Sequence, residues 1–256
     1  MRNEMPIGFF DSGLGGIGVL AHAVKALPNE RFIYYGDSAN APYGTKSAEE
    51  VRALTLDAVS LMVNEGIKAL VVACNTASGA AASKLRETYD FPIIALEPAL
   101  KVAEENHRSG IIPVLATPLT LTSAQYAKLH EKYGAHAVPL PCPGLMEFVE
   151  REELDSDSLH RYLKELFKLF EGSEIYAVVL GCTHYLFIRE AIQKNLPETT
   201  RIIDSNEGVI RQLHKKLGEY RLLRSDTGYG SVSIHSSGGP EKENQMLRML
   251  RLISSR

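Results

Sequence analysis

The chain has 256 residues, enough for one large domain or for two domains that each bury a core. Hydrophobic residues make up 45% of it and charged residues 23%, which is typical of globular domains, and no run of about 18 apolar residues predicts a membrane span. A net charge of -3 without a block of lysines and arginines argues against nucleic acid or a membrane as the main partner, so a small-molecule substrate fits better.

The first residues lack the positive flank and cleavable apolar stretch of a secretion signal, so we expect a cytoplasmic protein. The three cysteines, Cys74, Cys142 and Cys182, are odd in number and widely spaced, unlike a disulfide framework. None belongs to a CxxC pair, so no metal site is expected. Each cysteine therefore needs its own explanation, as a core residue or as a reactive thiol.

Along the chain, short runs rich in β-branched and aromatic residues alternate with longer stretches that favour helices. The predicted strands are Ile7–Phe10, Arg31–Tyr35, Ala69–Ala73, Ile93–Leu96, Ile112–Leu115, His136–Pro139, Ala177–Leu180, Arg201–Ile203 and Val232–His235. The predicted helices are Ala48–Glu65 and Leu159–Glu171, which have apolar residues at helical spacing, and the alanine-rich Ala77–Tyr89. This alternation predicts an α/β fold with mainly parallel strands.

Two parts of the chain resemble each other. The segment ALVVACNTAS at 69–78 has a counterpart in AVVLGCTHYL at 177–186, and the two cysteines lie 108 positions apart. Upstream, Asp11 in FFDSG precedes Cys74 by 63 positions, and Thr117 in VLATPLT precedes Cys182 by 65. Downstream, PIIALEPA and RIIDSNEGV follow the cysteines at nearly equal distance. Four segments in matching order predict two similar α/β domains related by a pseudo-twofold.

The repeated residues also predict where a site lies. Ligands of parallel α/β sheets gather at the carboxyl ends of the strands, and Asp11, Cys74, Thr117 and Cys182 each fall at such an end. If the two halves face each other, all four converge on one cleft between the domains. Each half then contributes one cysteine to that cleft.

Two facing thiols suit the racemisation of an amino acid. The reaction removes the α-proton from one face of the carbon and returns a proton to the other, so it needs a base on each side. One cysteine enters as a thiolate and the other as a thiol, and a thiol with a reference pKa of about 8.5 needs only modest stabilisation to ionise near neutrality.

Taken singly, these residues have ordinary structural explanations. A lone cysteine at a strand end is usually a small buried hydrophobe, and Cys142, which has no partner in the repeat, is interpreted in that way. His184 is a candidate to take up a thiol proton or to stabilise a thiolate, but it is also explained as a hydrogen-bonded structural residue. Asp11 is a candidate to orient or polarise the opposite cysteine, but it is also explained as a helix cap. The segment NAPYGTK at 40–46 is typical of a turn.

Together the motifs form a family pattern. They are FDSGLGG (10–16), YYGDSANAPYGTK (34–46), VVACNTAS (71–78), ATPLT (116–120) and LGCTHY (180–185). In these five motifs, in this order, the chain resembles the glutamate racemases of the aspartate/glutamate racemase family along almost its whole length. CNTAS and GCTH, with DSGLGG and PYG, favour the glutamate branch over the aspartate and hydantoin racemases.

The resemblance implies a racemase that needs no pyridoxal or other cofactor and makes D-glutamate for peptidoglycan, with the substrate between two α/β domains. It implies a first domain of residues 1–97 plus 208–256 and a second of 98–207, and it leaves a homodimer open. The catalytic residues that it implies are Cys74 and Cys182, assisted by Asp11 and His184. Its substrate-binding positions fall on Asp11, Ser12, Pro42, Tyr43, Gly44, Asn75, Thr76, Thr117, Thr120, Thr183 and His184, and an acidic residue near the second cysteine matches Glu150.

A glutamate substrate needs its charged groups held. No arginine lies within the motifs, so we expect hydroxyl and amide side chains, together with helix N-termini, to bind its carboxylates.

Three alternatives stay open from the sequence. One is a racemase of a related amino acid such as aspartate. Another is a cysteine hydrolase in which His184 activates a single thiol, which leaves the other cysteine without a role. The third is a binding protein that keeps an amino-acid cleft without turnover.

Overall fold

The computed structural model describes residues 2–225 and 228–255. Its strands are β1 (Ile7–Asp11), β2 (Arg31–Gly36), β3 (Ala69–Val72), β4 (Ile93–Ala95), β5 (Ile112–Ala116), β6 (Ala137–Pro141), β7 (Ala177–Leu180), β8 (Arg201–Ile203) and β9 (Ser231–Ser236). Each predicted strand corresponds to one of these, with ends that differ by at most two residues. Short apolar, β-branched runs between turn residues were therefore sufficient to predict the strands.

Helices connect the strands. They are α1 (Ile17–Ala26), α2 (Ala48–Glu65), α3 (Asn75–Thr88), α4 (Leu100–Glu105), α5 (Pro118–Thr122), α6 (Ala124–Tyr133), α7 (Leu145–Glu150), α8 (Asp157–Phe167), α9 (Arg189–Lys194), α10 (Asn206–Glu219) and α11 (Pro240–Ser254). The prediction for α8 ran too far, because the chain passes into a 3-10 turn at Lys168–Phe170 and then reaches Gly172, which has a φ of 82°. Among the described residues, no helix is long and apolar enough to cross a membrane.

The chain divides into two compact units. One comprises the described residues through Leu96 and from Asn206 onward, and the other comprises Glu97–Ser205. The sheet of the first unit has the strand order β4-β3-β1-β2-β9, and that of the second has the order β6-β5-β7-β8. All pairings within both sheets are parallel. The predicted α/β fold with parallel strands is confirmed.

The two sheets repeat one topology. If β5, β6, β7 and β8 are matched to β1, β2, β3 and β4, the strand orders are the same, and β9 is an additional strand that pairs with β2. The central strands β1, β3, β5 and β7 are buried along their whole length, as expected for parallel strands covered by helices on both faces. The sequence repeat therefore corresponds to a repeated fold.

A buried ion pair lies at the amino ends of the strands in the first unit. The Lys68 ammonium donates to the Glu30 carboxylate, and both side chains are almost completely buried. Arg224 joins this pair, because its backbone N–H donates to Glu30 Oε1 at 2.9 Å and its Nε donates to Glu4 Oε2 at 2.9 Å. These bonds attach the segment before β9 to the start of the chain.

Candidate active site

The predicted site residues stand at the carboxyl ends of the central strands. Asp11 is the last residue of β1, and Cys74 follows β3 by two residues. In the second unit, Thr117 directly follows β5 and Cys182 follows β7 by two residues. Because β1 neighbours β3 and β5 neighbours β7, each sheet brings one such pair to the same edge.

Cys74 sits at the N-terminus of a helix. It is the N-cap of the fourteen-residue α3, and its Sγ accepts a hydrogen bond from the Ala77 N–H at 3.4 Å. The Ser12 hydroxyl lies 3.4 Å from the same sulfur, and Cys74 is buried. Helix N-termini carry partial positive charge and unpaired N–H groups, so this position stabilises a thiolate.

The FDSGLGG segment brings a carboxylate to the same edge. Asp11 is fully buried, and its Oδ2 accepts a hydrogen bond from the Gly13 N–H at 3.0 Å. The turn into α1 passes so close that a Cβ on Gly16 would lie 2.7 Å from the Asp11 Cβ. Glycine is therefore required at position 16 for the chain to return past Asp11.

The first residues of α3 present polar groups beside Cys74. Asn75 and Thr76 are both buried. Within the part of the chain that the structure describes, the buried Asn75 Oδ1 has no hydrogen-bond partner. An unpaired buried acceptor is costly, so this oxygen is available to a bound donor such as an ammonium group.

The segment Pro42–Gly44 forms a loop that ends in a 3-10 turn at Tyr43–Thr45, and the peptide bond between Ala41 and Pro42 is cis. Tyr43 is buried, and its ring lies 6.4 Å from that of Phe10 on β1. Pro42 and Gly44 on either side of it are half-buried.

A second carboxylate, which the sequence analysis did not assign, holds this loop. Asp37 is buried directly after β2 and accepts a 2.6 Å hydrogen bond from the Tyr43 hydroxyl and two from the Asn40 amide at 3.0 Å. Burial, followed by Asp37, raises the pKa of Tyr43, so the phenol stays protonated and remains a donor. Asp37 directly follows the carboxyl end of β2, much as Asp11 lies at the carboxyl end of β1, and that position was the sequence signal for it.

Cys182 has different surroundings. It precedes a 3-10 turn at Thr183–Leu186, and its Sγ lies 3.7 Å from His184 Nδ1. His184 Nε2 lies 3.0 Å from Glu150 Oε1, and His184 is buried whereas Cys182 is partly exposed. The structure thus places His184 in contact with Cys182 on one side and with Glu150, the predicted acidic residue, on the other.

The pKa of His184 is raised well above its usual value. Burial is the largest influence and acts to lower the pKa, but the hydrogen bonds and charges of Cys182 and Glu150 together outweigh it. The imidazole is therefore protonated near neutral pH and places a positive charge beside the Cys182 sulfur.

The threonines of the second unit also start helical segments. The Thr117 Oγ1 caps α5 by accepting from the Thr120 N–H at 3.2 Å, and the two hydroxyl oxygens lie 2.9 Å apart. Thr120 is buried, as is Thr183, the first residue after Cys182. These side chains correspond in position to the polar residues around Cys74.

Cys142 has the surroundings of a core residue. Its buried thiol lies 3.2 Å from the Leu140 carbonyl oxygen, to which it donates. Burial raises the pKa of this thiol, so it stays neutral. Across the described ranges, no group of three or more histidine, cysteine or acidic side chains is arranged to hold a metal ion.

The site residues thus form two groups, one in each unit. The first contains Asp11, Ser12, Pro42, Tyr43, Gly44, Cys74, Asn75 and Thr76, and the second contains Thr117, Thr120, Glu150, Cys182, Thr183 and His184. Each group contains one cysteine and hydroxyl or amide groups at the start of a helical segment.

Comparison with known proteins relates this arrangement to one family. The model of the family described as Asp/Glu/hydantoin racemase matches residues 17–213. A glutamate racemase of Clostridium botulinum is 48% identical over 237 residues, which cover 92% of each chain. The crystal structure of a glutamate racemase isoform from Bacillus anthracis has a TM-score of 0.87 at 30% identity and covers 96% of this chain and 94% of its own. That of a glutamate racemase from Francisella tularensis in complex with D-glutamate has a TM-score of 0.83 at 29% identity and covers 97% and 94%.

Proposed function

This chain belongs to the Asp/Glu/hydantoin racemase family, and on that premise we propose that it interconverts L- and D-glutamate without a cofactor, with Cys74 and Cys182 as its two acid/base groups. One observation carries the proposal. Two sheets of the same strand order each place a cysteine two residues beyond the equivalent strand, β3 in one and β7 in the other. A chain that needs one nucleophile has no use for this duplication.

The reaction exchanges a proton between two faces of one carbon. A thiolate removes the α-proton of the bound amino acid, and the thiol of the other cysteine delivers a proton to the opposite face. The first sulfur leaves the reaction as a thiol and the second as a thiolate, so the two groups exchange roles when the reaction reverses. The proposal therefore requires the two cysteines on opposite sides of the α-carbon.

Each cysteine has the support that this chemistry needs. The N-terminus of α3 and the Ser12 hydroxyl stabilise negative charge on Cys74. The imidazolium of His184, held by Glu150, does so for Cys182. We assign Asp11 to polarising or orienting the reacting groups, since its carboxylate lies fully buried at the same sheet edge as Cys74.

The polar residues of the two groups bind the substrate in this proposal. The Asn75 Oδ1 accepts from the substrate ammonium, because it is a buried acceptor with no hydrogen-bond partner among the described residues. Thr76, Thr183 and one hydroxyl of the hydrogen-bonded Thr117–Thr120 pair donate to the carboxylates. The Tyr43 hydroxyl is already bonded to Asp37, so the loop after Pro42 binds the substrate through its backbone. The first N–H groups of its turn have no partner inside the turn and donate to the substrate.

The wider role follows from the product. D-glutamate serves as a building block of peptidoglycan, so we place the enzyme in the cytoplasm, where it acts on a free small molecule. We also propose that residues 1–97 and 208–256 form the first domain and that residues 98–207 form the second.

Racemisation in D2O tests the mechanism. Each enantiomer of glutamate is incubated with the protein without added cofactor, and the α-deuterium content and optical activity are followed. The wild type is expected to racemise with deuterium in the product. Cys74→Ala and Cys182→Ala are each expected to stop racemisation, whereas the matched control Cys142→Ala, which removes a neutral core thiol, keeps it. Racemisation that survives either of the first two substitutions contradicts the two-thiol mechanism.

A further inference from the structure

The turn after β9 contacts the loop that carries Tyr43. β9 has no counterpart in the second sheet, and the sequence repeat gives it no role. Three hydrogen bonds from Ser236 and Ser237 nevertheless reach the last residue of β2 and the residue that follows it. The Ser236 hydroxyl and the Ser237 N–H both donate to the Gly36 carbonyl oxygen at 3.1 Å. The Ser237 hydroxyl donates to Asp37 Oδ1 at 2.6 Å.

The Ser237 hydroxyl makes two hydrogen bonds in this contact, one as a donor and one as an acceptor. While its proton is donated to Asp37, its Oγ accepts from the Ala39 N–H at 2.9 Å. Ser237 itself is exposed on the molecular surface, whereas Asp37 is buried. One exposed serine, 200 positions away in the sequence, therefore fixes both a buried carboxylate and the backbone that follows it.

The packing around this contact leaves little room for movement. A Cβ on Gly36 would lie 2.3 Å from the Met246 Cε of α11 and 2.5 Å from the Gly13 carbonyl oxygen. Another on Gly238 would lie 3.2 Å from the Ser38 Cβ. The carboxyl end of β2 is therefore held between the FDSGLGG segment and the segment formed by β9 and α11.

The hydrogen bonds form a chain from Ser237 to the substrate loop. The two oxygens of Asp37 receive hydrogen bonds from Ser237, Asn40 and Tyr43, and all three donors are neutral. A buried carboxylate held by neutral donors depends on each of them, because no positive charge among these three compensates for a lost bond. Removal of the Ser237 hydroxyl takes away one of the four hydrogen bonds to Asp37 and so weakens the hold on the carboxylate to which the Tyr43 hydroxyl is bonded.

We propose that Ser237 is a positioning residue of this enzyme, which acts through Asp37 to hold the Pro42–Gly44 loop in its substrate-binding conformation. The inference rests on the proposed function, in which that loop binds the substrate. Since Ser237 supports binding and takes no part in proton transfer, its loss weakens substrate affinity more than turnover.

Steady-state kinetics of Ser237→Ala with each enantiomer test this proposal. We expect the KM for glutamate to rise about tenfold, as for one lost hydrogen bond to a charged group, while kcat changes by less than about threefold. Ser237→Thr, which keeps the hydroxyl, is expected to restore a KM near the wild-type value. The matched control Ser233→Ala, on the same strand and paired with Ile33 away from the turn, is expected to leave both constants unchanged.

A second measurement does not depend on catalysis. Amide hydrogen exchange of the segment 37–45 is expected to accelerate in Ser237→Ala, because the Ala39 N–H loses its acceptor, and to stay unchanged in Ser233→Ala. An unchanged KM, or a kcat that falls more than the KM rises, overturns the positioning role. If the wild type does not racemise glutamate at all, the proposed function fails, and the exchange measurement still reports whether Ser237 holds the loop.

Discussion

Cys74 and Cys182 occupy equivalent places in two sheets of the same strand order, but different groups support them. Around Cys74 the support is a helix N-terminus, through the Ala77 N–H, and the hydroxyl of Ser12. Around Cys182 the support is an imidazole, which is itself held by the carboxylate of Glu150. The repeated fold supplies the position of each sulfur, and the local residues supply its electrostatic environment.

This difference implies unequal sensitivity to substitution and to pH. The helix N-terminus is built from backbone groups, which neither titrate in the physiological range nor disappear when a side chain is changed. The support of Cys182 resides in the side chains of two titratable residues. We therefore expect the second unit to be the one in which single substitutions and changes of pH reduce activity most.

Replacement of His184 is expected to have the largest effect of the changes considered around the two sulfurs. In His184→Asn no imidazolium remains beside Cys182, so kcat/KM is expected to fall about 10²- to 10³-fold in both directions, as for the loss of an acid/base group. Circular dichroism, used to monitor the racemisation of L- and D-glutamate, measures this fall in kcat/KM. The matched control is His160→Asn, since His160 also contacts a carboxylate, Asp155 Oδ1 at 2.8 Å, but is partly exposed. A His184→Asn enzyme that keeps more than a tenth of its activity contradicts the comparison.

Glu150→Gln is expected to reduce activity less and to shift the pH dependence of kcat/KM in one direction. The negative charge of Glu150 helps to raise the pKa of His184, so its removal lowers that pKa. Because the imidazolium is then lost at lower pH, the alkaline fall of kcat/KM is expected to move to lower pH, with an about tenfold loss on that side of the profile. The pH dependence of kcat/KM, measured for wild type and variant, checks this.

The control for Glu150 is Glu153→Gln. Glu153 lies three residues further along and forms a surface ion pair with Arg151, which holds the pKa of Glu153 below its usual value. Its replacement is expected to leave the pH profile of activity unchanged. A Glu150→Gln profile that coincides with the wild-type profile would show that the carboxylate does not tune His184.

The sequence predicted the features that are encoded locally. The nine strands of the described residues followed from short β-branched runs, and the two-part fold followed from the repeat around Cys74 and Cys182. The sequence predicted α2, α3 and α8 but not other long helices such as α10 and α11. Short helices such as α4 and α7, with six residues each, are too brief to show a helical period.

The features that the sequence did not predict depend on contacts between distant positions. The bond from Ser237 to Asp37 spans 200 positions, and nothing near either residue indicates its partner. The buried pair of Lys68 and Glu30 is a similar case, because charged residues are ordinarily expected at the surface. Glu150 was placed by resemblance alone, and its contact with His184, 34 positions away, is visible only in the folded chain.

The smallest effect of the three is expected at the first cysteine. Ser12→Ala removes the hydroxyl 3.4 Å from the Cys74 sulfur but leaves the Ala77 N–H and the N-terminus of α3 in place, so kcat/KM is expected to fall only about three- to tenfold. Ser60→Ala, which removes a hydroxyl that donates to the Asp57 carbonyl oxygen on α2, serves as the control and is expected to have no effect. Racemisation rates of both variants at one pH measure the difference. If Ser12→Ala lost as much activity as His184→Asn, the backbone would not be the main support of Cys74, and the two sulfurs would depend on side chains to the same degree.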